Sequence, residues 1–435
     1  MNLRRIINAS LLVGFFFGID KLVGLARQVI VARAFGVGAE LDAFNAANNL
    51  PDALVALLSG GAIALAFIPV LSETLERGGR GPAWELFSLI ANLAFTITAV
   101  FAASLAAFAE PLVRHVIVPG FSADQQALVV ELMRLNVIAM LIFSLSGLTT
   151  SALQTHQHFF LPALAPILYN VGQIMGVTVL GPRFGIHGLA YGVLLGAALH
   201  FAVQIPGLAR HGFRWTARLT LNHPGVRRVL LLMGPRLLTI ACIQLIFIAN
   251  DNLASGLGRG AISAMAYGWL IMQLPETVIG TAVGTALLPT LSELMARGEL
   301  TELKRLARRA LAALLALTLP VTLAAWILLP WAVRFVFEGR AFTAENSAMV
   351  VLAARMFMLG LAGHSLKEVA ARMFYAHQDA RTPLLTAALN VVVFVALGAA
   401  LTPGMDFAAL ALANSISFTL EAGLMLGILA RRRWV

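Results

Sequence analysis

Apolar residues follow one another along this chain in continuous stretches of roughly 20 residues, the length of a helix that spans a membrane. Glycine, proline and charged residues separate these stretches and mark the turns between successive helices. Strands of a membrane barrel would instead alternate apolar and polar residues, so the pattern predicts helices. We predict twelve spans, within residues 8–33, 41–71, 84–109, 127–151, 159–182, 186–209, 228–255, 262–292, 308–330, 346–375, 382–402 and 406–430.

The composition supports a membrane protein. Of the 435 residues, 59% are hydrophobic and 12% are charged, whereas a soluble domain carries about 25% charged residues. Because the bilayer interior offers backbone groups no water, spanning segments must pair those groups internally. The predicted fold class is therefore an all-α polytopic membrane protein without a soluble domain. Residues 1–19 resemble a signal peptide but lack a small-residue cleavage site, and we interpret them as a retained first helix.

Lysine and arginine are distributed unevenly between alternate loops. The side with loops 210–227 and 293–307 carries eighteen of them, and the side with loops 110–126 and 331–345 carries six. Since cytoplasmic loops are enriched in these residues, we predict a cytoplasmic-membrane protein with both termini in the cytoplasm. The same rule accounts for the net charge of +10, so we expect no nucleic-acid partner.

The chain contains an internal repeat. PVLSETLERG at 69–78 returns as PTLSELMARG at 289–298, with six of ten positions identical. FSADQQALVVELMR at 121–134 returns as FTAENSAMVVLAAR at 342–355, with six of fourteen identical. Such a duplication predicts two six-helix lobes, residues 1–220 and 221–435, related by a pseudo-twofold axis along the membrane normal. This pseudo-symmetric architecture is typical of alternating-access transporters.

Motifs of soluble catalysis are missing from the sequence. It contains no GxxxxGK[ST], HExxH, CxxC or GxSxG pattern, and Cys242 is its one cysteine. We therefore expect neither an enzyme nor an ATP-driven pump, and we expect no cofactor and no metal site. Transport would draw on a coupling ion, the membrane potential or the substrate gradient.

The first helix carries charges inside the membrane, which are costly and usually functional. Asp20, Lys21 and Arg27 fall within an arc of roughly 120° at 100° per residue. We predict that Lys21 and Arg27 line a water-filled cavity and that Asp20 acts in gating or coupling. The alternative is a charge cluster that stabilises packing between helices.

The second helix contains Asp42 and Asp52 on either side of a polar segment that ends at Pro51. We predict that Asp42 lines the same cavity and pairs with Arg27 or Arg33, and that Asp52 acts in gating or coupling. Pro51 should kink the helix, and Pro275 should do so in the second half. Paired kinks point to a substrate path, although a purely structural kink is the alternative.

Charged residues in later helices form a second candidate group. Lys367, Glu368 and Arg372 share one face of the tenth helix, either as a gate or coupling site or as a structural salt-bridged face. Two further candidates come from the seventh helix. We assign Arg236 to the cavity, and we assign Asp251 to gating or coupling.

Several stretches resemble one known family. They are GLARQVIVARAFGVGAELDAFNAANNLP at 24–51, GGAIALAFIPVLSE at 60–73, LQTHQHFFLPALAPILYN at 153–170, GTALLPTLSE at 284–293 and FYAHQDARTP at 374–383. The sequence is similar to the MurJ/MviN lipid II flippases of the MOP (MATE-like) superfamily. The resemblance implies two six-helix lobes around a cationic cavity for the lipid II headgroup, and a tail groove built by additional C-terminal helices that this chain lacks.

The chain departs from the family pattern at several charged positions. Uncharged residues stand where the resemblance implies headgroup-binding charges, at Val55, Ala56, Trp269 and Leu270. Our first interpretation is a monomeric flippase of lipid II that serves cell-wall biogenesis. Its partners would be a lipid-linked anionic substrate, membrane lipids and a coupling ion. The alternatives are a flippase for another polyprenyl-linked glycan, a MATE-like ion-coupled exporter and a membrane scaffold.

Overall fold

The computed structural model describes residues 3–58, 61–377, 379–432 and 434, with the side chains of 3–11, 57, 58, 61–65, 234–236, 239 and 296 outside that description. The described residues form two compact units. Unit 1 comprises Met1–Phe35, Ala43–Val116 and Ser122–Ala241, and unit 2 comprises Gly36–Asp42, Ile117–Phe121 and Cys242–Val435. This boundary lies inside a helix, whereas the sequence analysis placed the division at 220/221. The two six-helix lobes remain a prediction.

Helices account for nearly all of the described chain. Those that begin before the unit boundary at Ala241 are α1 (Leu3–Phe35), α2 (Ala39–Leu58), α3 (Gly61–Gly78), α4 (Arg80–Ala107), α5 (Ala109–Leu112), α6 (Ala123–Thr155), α7 (Phe160–Met175), α8 (Gly181–Phe184), α9 (Ile186–Ala202), α10 (Ile205–Arg210) and α11 (Pro224–Ala254). Two π-helical segments, Val113–Ile117 and Gly176–Leu180, accompany them.

The remaining helices belong to unit 2. They are α12 (Ala261–Glu276), α13 (Ala282–Ala296), α14 (Leu300–Phe337), α15 (Ala344–Met358), α16 (Leu361–Ala376), α17 (Arg381–Met405) and α18 (Ala408–Arg431). A third π-helical segment, Thr277–Thr281, follows Pro275 at the end of α12. Within the described ranges, β-pairing is limited to an isolated bridge between Gly339 and Phe342. The predicted all-α fold class is confirmed.

Eight helical segments of the described chain are long and apolar enough to cross a membrane, or nine when the bent pair α15–α16 is counted as one. These nine coincide with nine of the twelve predicted spans. The other three, at 8–33, 41–71 and 228–255, correspond to α1, to α2 with α3, and to α11. Each of these three spans includes side chains that lie outside the described part of the structure.

The predicted span 346–375 is broken into two helices. α15 and α16 meet at an angle of 44°. Gly360 lies at the break, where an added Cβ would be 2.7 Å from the Cα of Ser415 on α18. The Ser415 hydroxyl donates to the Met356 carbonyl at 2.6 Å. A serine on the neighbouring helix therefore satisfies a carbonyl near the break, as buried backbone groups require.

Local structure repeats between the two units at the offset found in the sequence. Ser122 caps α6 and Thr343 caps α15, each through its side-chain oxygen. Arg134 donates its Nε to the Ala106 carbonyl, and Arg355 donates its Nε to the Trp326 carbonyl, both at 3.1 Å. These shared contacts support the duplication, while the predicted twofold axis remains a prediction.

The residues that follow α10 pack along α4 within unit 1. The Trp84 indole donates its Nε1–H to the His211 carbonyl at 3.1 Å. The rings of Trp84, His156 and His211 form a stack, with centroid separations of 4.7 and 4.8 Å. His377 stacks in the same way on Trp434 in unit 2, at 3.8 Å. His156 and His377, which are 221 residues apart in the sequence, therefore each stack on a tryptophan of their own unit.

Candidate functional site

The polar stripe of α1 faces α7 inside unit 1. Asn170 of α7 donates its Nδ2–H to Asp20 Oδ1 at 2.9 Å. Gly24, one turn further along α1, lies opposite the same amide, because a Cβ there would be 3.7 Å from Asn170 Nδ2. The absence of a side chain at Gly24 leaves Asn170 room beside the stripe. Asp20 is thus held in place by an uncharged partner.

Arg27 is half-buried on the same stripe. It lies close enough to the Asp52 carboxylate and to Tyr169 for its charge to act on both. The Asp52 side chain itself is exposed. A guanidinium in this position keeps its positive charge under all physiological conditions. Its counter-charge is therefore the carboxylate of Asp52 on the neighbouring helix α2.

Lys21 has a different environment. The residue is exposed, and its ammonium group lies 5.0 Å from the centroid of the Phe17 ring on the same helix. An ammonium over an aromatic face gains a modest attraction and keeps most of its hydration. Lys21 therefore presents an accessible positive charge about one and a half turns before Arg27.

Asp42 belongs to unit 2 and has its hydrogen-bond partners there. Its side chain is fully buried, and its carboxylate accepts hydrogen bonds from the Gly260 N–H at 2.5 Å, the Ser263 N–H at 2.7 Å and the Ser263 hydroxyl at 2.6 Å. These donors form the start of α12, where backbone N–H groups lack intrahelical partners and favour an anion. A carboxylate so enclosed is not available to line a water-filled cavity, and its observed role is a helix cap. The predicted pairing with Arg27 or Arg33 stays a prediction.

Two further predicted residues lie on α11. Asp251 is buried, with 2% of its surface exposed, and its gating role stays a prediction. The side chain of Arg236 falls outside the described residues, so its assignment to the cavity also stays a prediction. Pro51 lies inside α2 and Pro275 inside α12, and their roles as helix kinks stay predictions.

A second polar cluster lies inside unit 2, around α16. Arg372 donates a short hydrogen bond to Glu368 one turn earlier, and both side chains are about three-quarters buried. The ammonium group of Lys367 lies 4.7 Å from the centroid of the Phe418 ring. It is also within electrostatic reach of Glu276 on α12. The sequence grouping of Lys367, Glu368 and Arg372 is therefore part of a larger set of charges.

One acid of this cluster, Glu421, was not among the candidates predicted from the sequence. Glu421 is 4% exposed on α18 and lies within reach of the Lys367 charge. It accepts hydrogen bonds from Asn390 Nδ2 at 2.7 Å and from the Thr386 hydroxyl at 3.4 Å, both on α17. An ionisable residue within an apolar span was the signal available in the sequence.

The two clusters differ in charge. In unit 1, Lys21 and Arg27 are offset by Asp20 and Asp52. In unit 2, the cations Lys367 and Arg372 face one more acid than they can offset, namely Glu276, Glu368 and Glu421. The unit 1 cluster therefore suits an anion that can displace an exposed carboxylate. The unit 2 cluster suits a proton or another cation.

The chain matches the family model described as lipid II flippase MurJ over residues 31–435. It is 34% identical over 412 residues to the lipid II flippase MurJ of Burkholderia cenocepacia, covering 91% of this chain and 79% of that protein. It is 31% identical over 424 residues to the probable lipid II flippase MurJ of Rhizobium tropici, covering 95% and 79%.

Solved structures show the same fold. A lipid II flippase MurJ in an inward closed conformation matches with a TM-score of 0.83 at 24% identity, covering 97% of this chain and 87% of that one. An inward-facing multidrug resistance MATE family transporter of the MOP superfamily matches with a TM-score of 0.78 at 14% identity, covering 95% and 94%. The fold of this chain is therefore the fold that these transporters share.

Proposed function

The chain belongs to the lipid II flippase MurJ family, and on that premise we propose that it moves lipid II across the cytoplasmic membrane by alternating access, in cell-wall biogenesis. The observation that carries the proposal is the family match over residues 31–435. The lipid is carried unchanged, so the protein acts as a transporter and not as an enzyme.

The unit 1 cluster supplies what a lipid-linked pyrophosphate requires. Such a headgroup carries about two negative charges, which cannot leave water without compensating partners. Lys21 and Arg27 provide two positive charges on one stripe of α1. Arg27 adds a planar fork that binds phosphate oxygens in a bidentate manner. These two residues are the substrate-binding residues of the proposal.

Asp52 acts as the exchangeable counter-ion of Arg27. While the site is empty, its carboxylate offsets the guanidinium charge. When the pyrophosphate arrives, Arg27 turns to the phosphate oxygens, and Asp52 is left in contact with water because its side chain is exposed. A solvated carboxylate loses little when its partner leaves. The exchange therefore costs much less than separating a buried ion pair would.

The unit 2 cluster is the proposed coupling site. Its excess of acids around Lys367 can take up a proton or another cation when the conformation changes. Glu421 joins Glu368, Arg372 and Lys367 in this role because it is enclosed and hydrogen-bonded by side chains of α17. The proposal also includes a monomeric protein with both termini in the cytoplasm, and the loop charges support the placement of the termini.

A second candidate is a flippase for another polyprenyl-linked glycan. Trp269 stands where the resemblance implies a headgroup-binding charge, and its indole is surrounded by rings. Phe247, Phe357 and His364 have centroids 5.8, 5.5 and 5.4 Å away. Val55, at another such position, packs among apolar side chains of unit 1. An apolar or stacking surface at these positions favours a headgroup that differs from lipid II in its sugar or peptide.

Replacement of a host's own flippase tests the proposal. Cells whose essential lipid II flippase is placed under a repressible promoter would express this chain, and growth would be followed after repression. We expect growth with the unchanged chain and with the surface variant Arg183→Gln. Lysis despite normal amounts of the protein in the membrane contradicts lipid II as the substrate. Rescue of a strain that lacks a flippase for a different polyprenyl-linked glycan would then favour the second candidate.

A further inference from the structure

The start of α14 carries a groove lined by cations. Leu300, Thr301, Lys304, Arg305, Arg308 and Arg309 line an open groove of about 380 Å³. Arg305 pairs with Glu302 at 2.6 Å, with both side chains more than half exposed. The four cations of this segment outnumber its two acids, Glu299 and Glu302. The groove therefore has a surplus of positive charge beside an apolar rim.

The cations occupy a different face of α14 from its packing residues. Leu303 and Ala307 are buried and pack in the core of unit 2 with Leu291 and Phe374. At 100° per residue, the four cations lie within an arc of about 140° next to that buried face. Arg308 and Arg309 are both exposed. These side chains therefore lie outside the packed face of the helix and line a common groove.

The same arc continues into the apolar part of the helix. Leu315, Leu319 and Leu323 lie on it at intervals of four residues, with exposed fractions of 39%, 59% and 64%. Arg308 and Leu319 are separated by about 17 Å along the axis, and one leaflet of hydrocarbon is about 15 Å thick. A molecule with a negative head and long apolar chains would meet complementary surface over its whole length.

We propose that this face of α14 is a binding site for an anionic glycerophospholipid of the surrounding leaflet. The phosphodiester of a lipid such as phosphatidylglycerol lies in the groove against Arg308, Arg309 and Lys304, and its acyl chains lie along the leucines. Charge-assisted hydrogen bonds from arginine to phosphate give the site its strength. The positive-inside rule alone explains cations on this side of the membrane, whereas a groove that gathers four of them above a matching apolar stripe defines a place for one lipid.

Lipid binding to the purified full chain tests this site. The protein in dodecyl maltoside would be titrated with phosphatidylglycerol or with phosphatidylcholine, and the fraction carrying a bound lipid would be measured by native mass spectrometry. Arg308→Gln with Arg309→Gln should weaken phosphatidylglycerol binding roughly 30-fold, at about 1 kcal/mol for each cation removed. The control combines Arg214→Gln with Arg431→Gln, which removes the same charge from exposed positions elsewhere and should change the affinity less than about threefold.

Three results would overturn the proposal. The first is equal affinity for phosphatidylglycerol and phosphatidylcholine in the unchanged protein. The second is an equal loss in the two double variants, which would mean diffuse charge attraction without a site. The third is displacement of bound phosphatidylglycerol by equimolar undecaprenyl pyrophosphate, which would assign the groove to the transported lipid. Retained binding in Arg308→Lys with Arg309→Lys, and unchanged melting temperatures in all variants, would show that the loss reflects phosphate contacts and not misfolding.

Discussion

At the scale of single residues, Arg27 combines a positive charge in a defined position with an acidic neighbour that is exposed. It is half-buried, so its position on α1 is defined, and its acidic neighbour Asp52 is exposed, so that neighbour can be replaced. Asp20 is less easily replaced, because its carboxylate accepts a hydrogen bond from Asn170. The proposed exchange of a carboxylate for a pyrophosphate therefore concerns Arg27 above all the other charges of unit 1.

Substitution of Arg27 separates a binding role from a structural one. Arg27→Ala should lower transport roughly 10- to 100-fold, since hydrogen bonds to charged groups contribute about 1.5–3 kcal/mol. Membrane insertion and melting temperature should stay close to those of the unchanged protein. Arg27→Lys should keep part of the activity, because lysine retains the charge but loses the bidentate fork. A lower folded yield with full transport by the remaining protein would instead identify a packing residue.

The histidine stack of unit 1 predicts a dependence of stability on pH. Burial, with the positive charges of His211 and Arg80, lowers the pKa of His156 to about 4. An unfolded histidine has a pKa near 6.5, so the folded protein resists protonation. The stabilisation is complete above pH 6.5 and is lost progressively as the pH falls toward 4. His156 follows the end of α6 and therefore lies beyond the spanning segment.

His156→Phe tests this dependence, because phenylalanine keeps an aromatic ring beside Trp84 but cannot take up a proton. Melting temperatures measured between pH 7.5 and 5 should fall less steeply for the variant than for the unchanged protein. The same slope for both proteins would show that His156 does not carry the effect.

At the level of residues, the sequence allowed a deduction where the spacing within one helix was sufficient. The polar arc of α1 could be deduced from spacing alone, and the structure places Asp20 and Arg27 of that arc beside partners from α2 and α7. The cap that Asp42 forms on α12 could not be deduced, because Gly260 and Ser263 lie more than 200 residues away in the sequence. Glu421 was overlooked for a related reason, since its partners Thr386 and Asn390 belong to another helix.

At the scale of elements, close packing of α7 with α9 depends on glycine. Gly172 on α7 and Gly176 at the start of the π-helical segment that follows it face Gly192 and Gly196 on α9. A Cβ added to Gly192 would lie 2.7 Å from the Cα of Gly176. Small residues at such crossings let helix backbones approach closely in a membrane. This crossing also fixes α7, which carries both Tyr169 and Asn170 to the stripe of α1. The packing of α7 and α9 therefore supports the site.

Gly192→Ala measures the contribution of this crossing. The added methyl group should force the helices apart and destabilise the protein by about 1–3 kcal/mol, seen as a lower melting temperature. Gly423→Ala is the matched control, since it lies within α18 and a Cβ there meets nothing within 4 Å. That control should be neutral or slightly stabilising. Equal effects of the two substitutions would contradict a tight glycine crossing.

Helix positions were largely predictable because lipid demands long apolar runs, whereas breaks within them were not. The bend between α15 and α16 depends on Gly360 and on a hydroxyl from α18 that satisfies a freed carbonyl. The sequence of residues 346–375 gives no signal for this hydroxyl, because Ser415 belongs to α18. The repeat, in contrast, was visible from sequence alone, and the paired contacts of Arg134 and Arg355 show that duplicated sequence has kept duplicated local structure.

At the scale of the whole molecule, orientation in the membrane follows from loop charge. Leu300 lines the cationic groove at the start of α14, and the proposed orientation puts it in the cytoplasm. With Cys242→Ser as background, a cysteine at Leu300 should resist a membrane-impermeant maleimide in intact cells and react after permeabilisation. A cysteine at Asp124, which is exposed and predicted to face outward, should react in intact cells. Reversed labelling of the two positions would invert the topology.

The central claim is that this chain brings lipid II to the outer surface of the cytoplasmic membrane. The most direct measurement uses cells depleted of their own flippase that express this chain. A membrane-impermeant enzyme that cleaves lipid II would be added outside, and the cleaved fraction would be determined. We expect the unchanged chain and Arg183→Gln to restore the cleaved fraction of lipid II. Arg27→Ala at equal abundance should leave the cleaved fraction near that of depleted cells. Lipid II that stays protected despite normal amounts of the unchanged chain in the membrane would contradict the account.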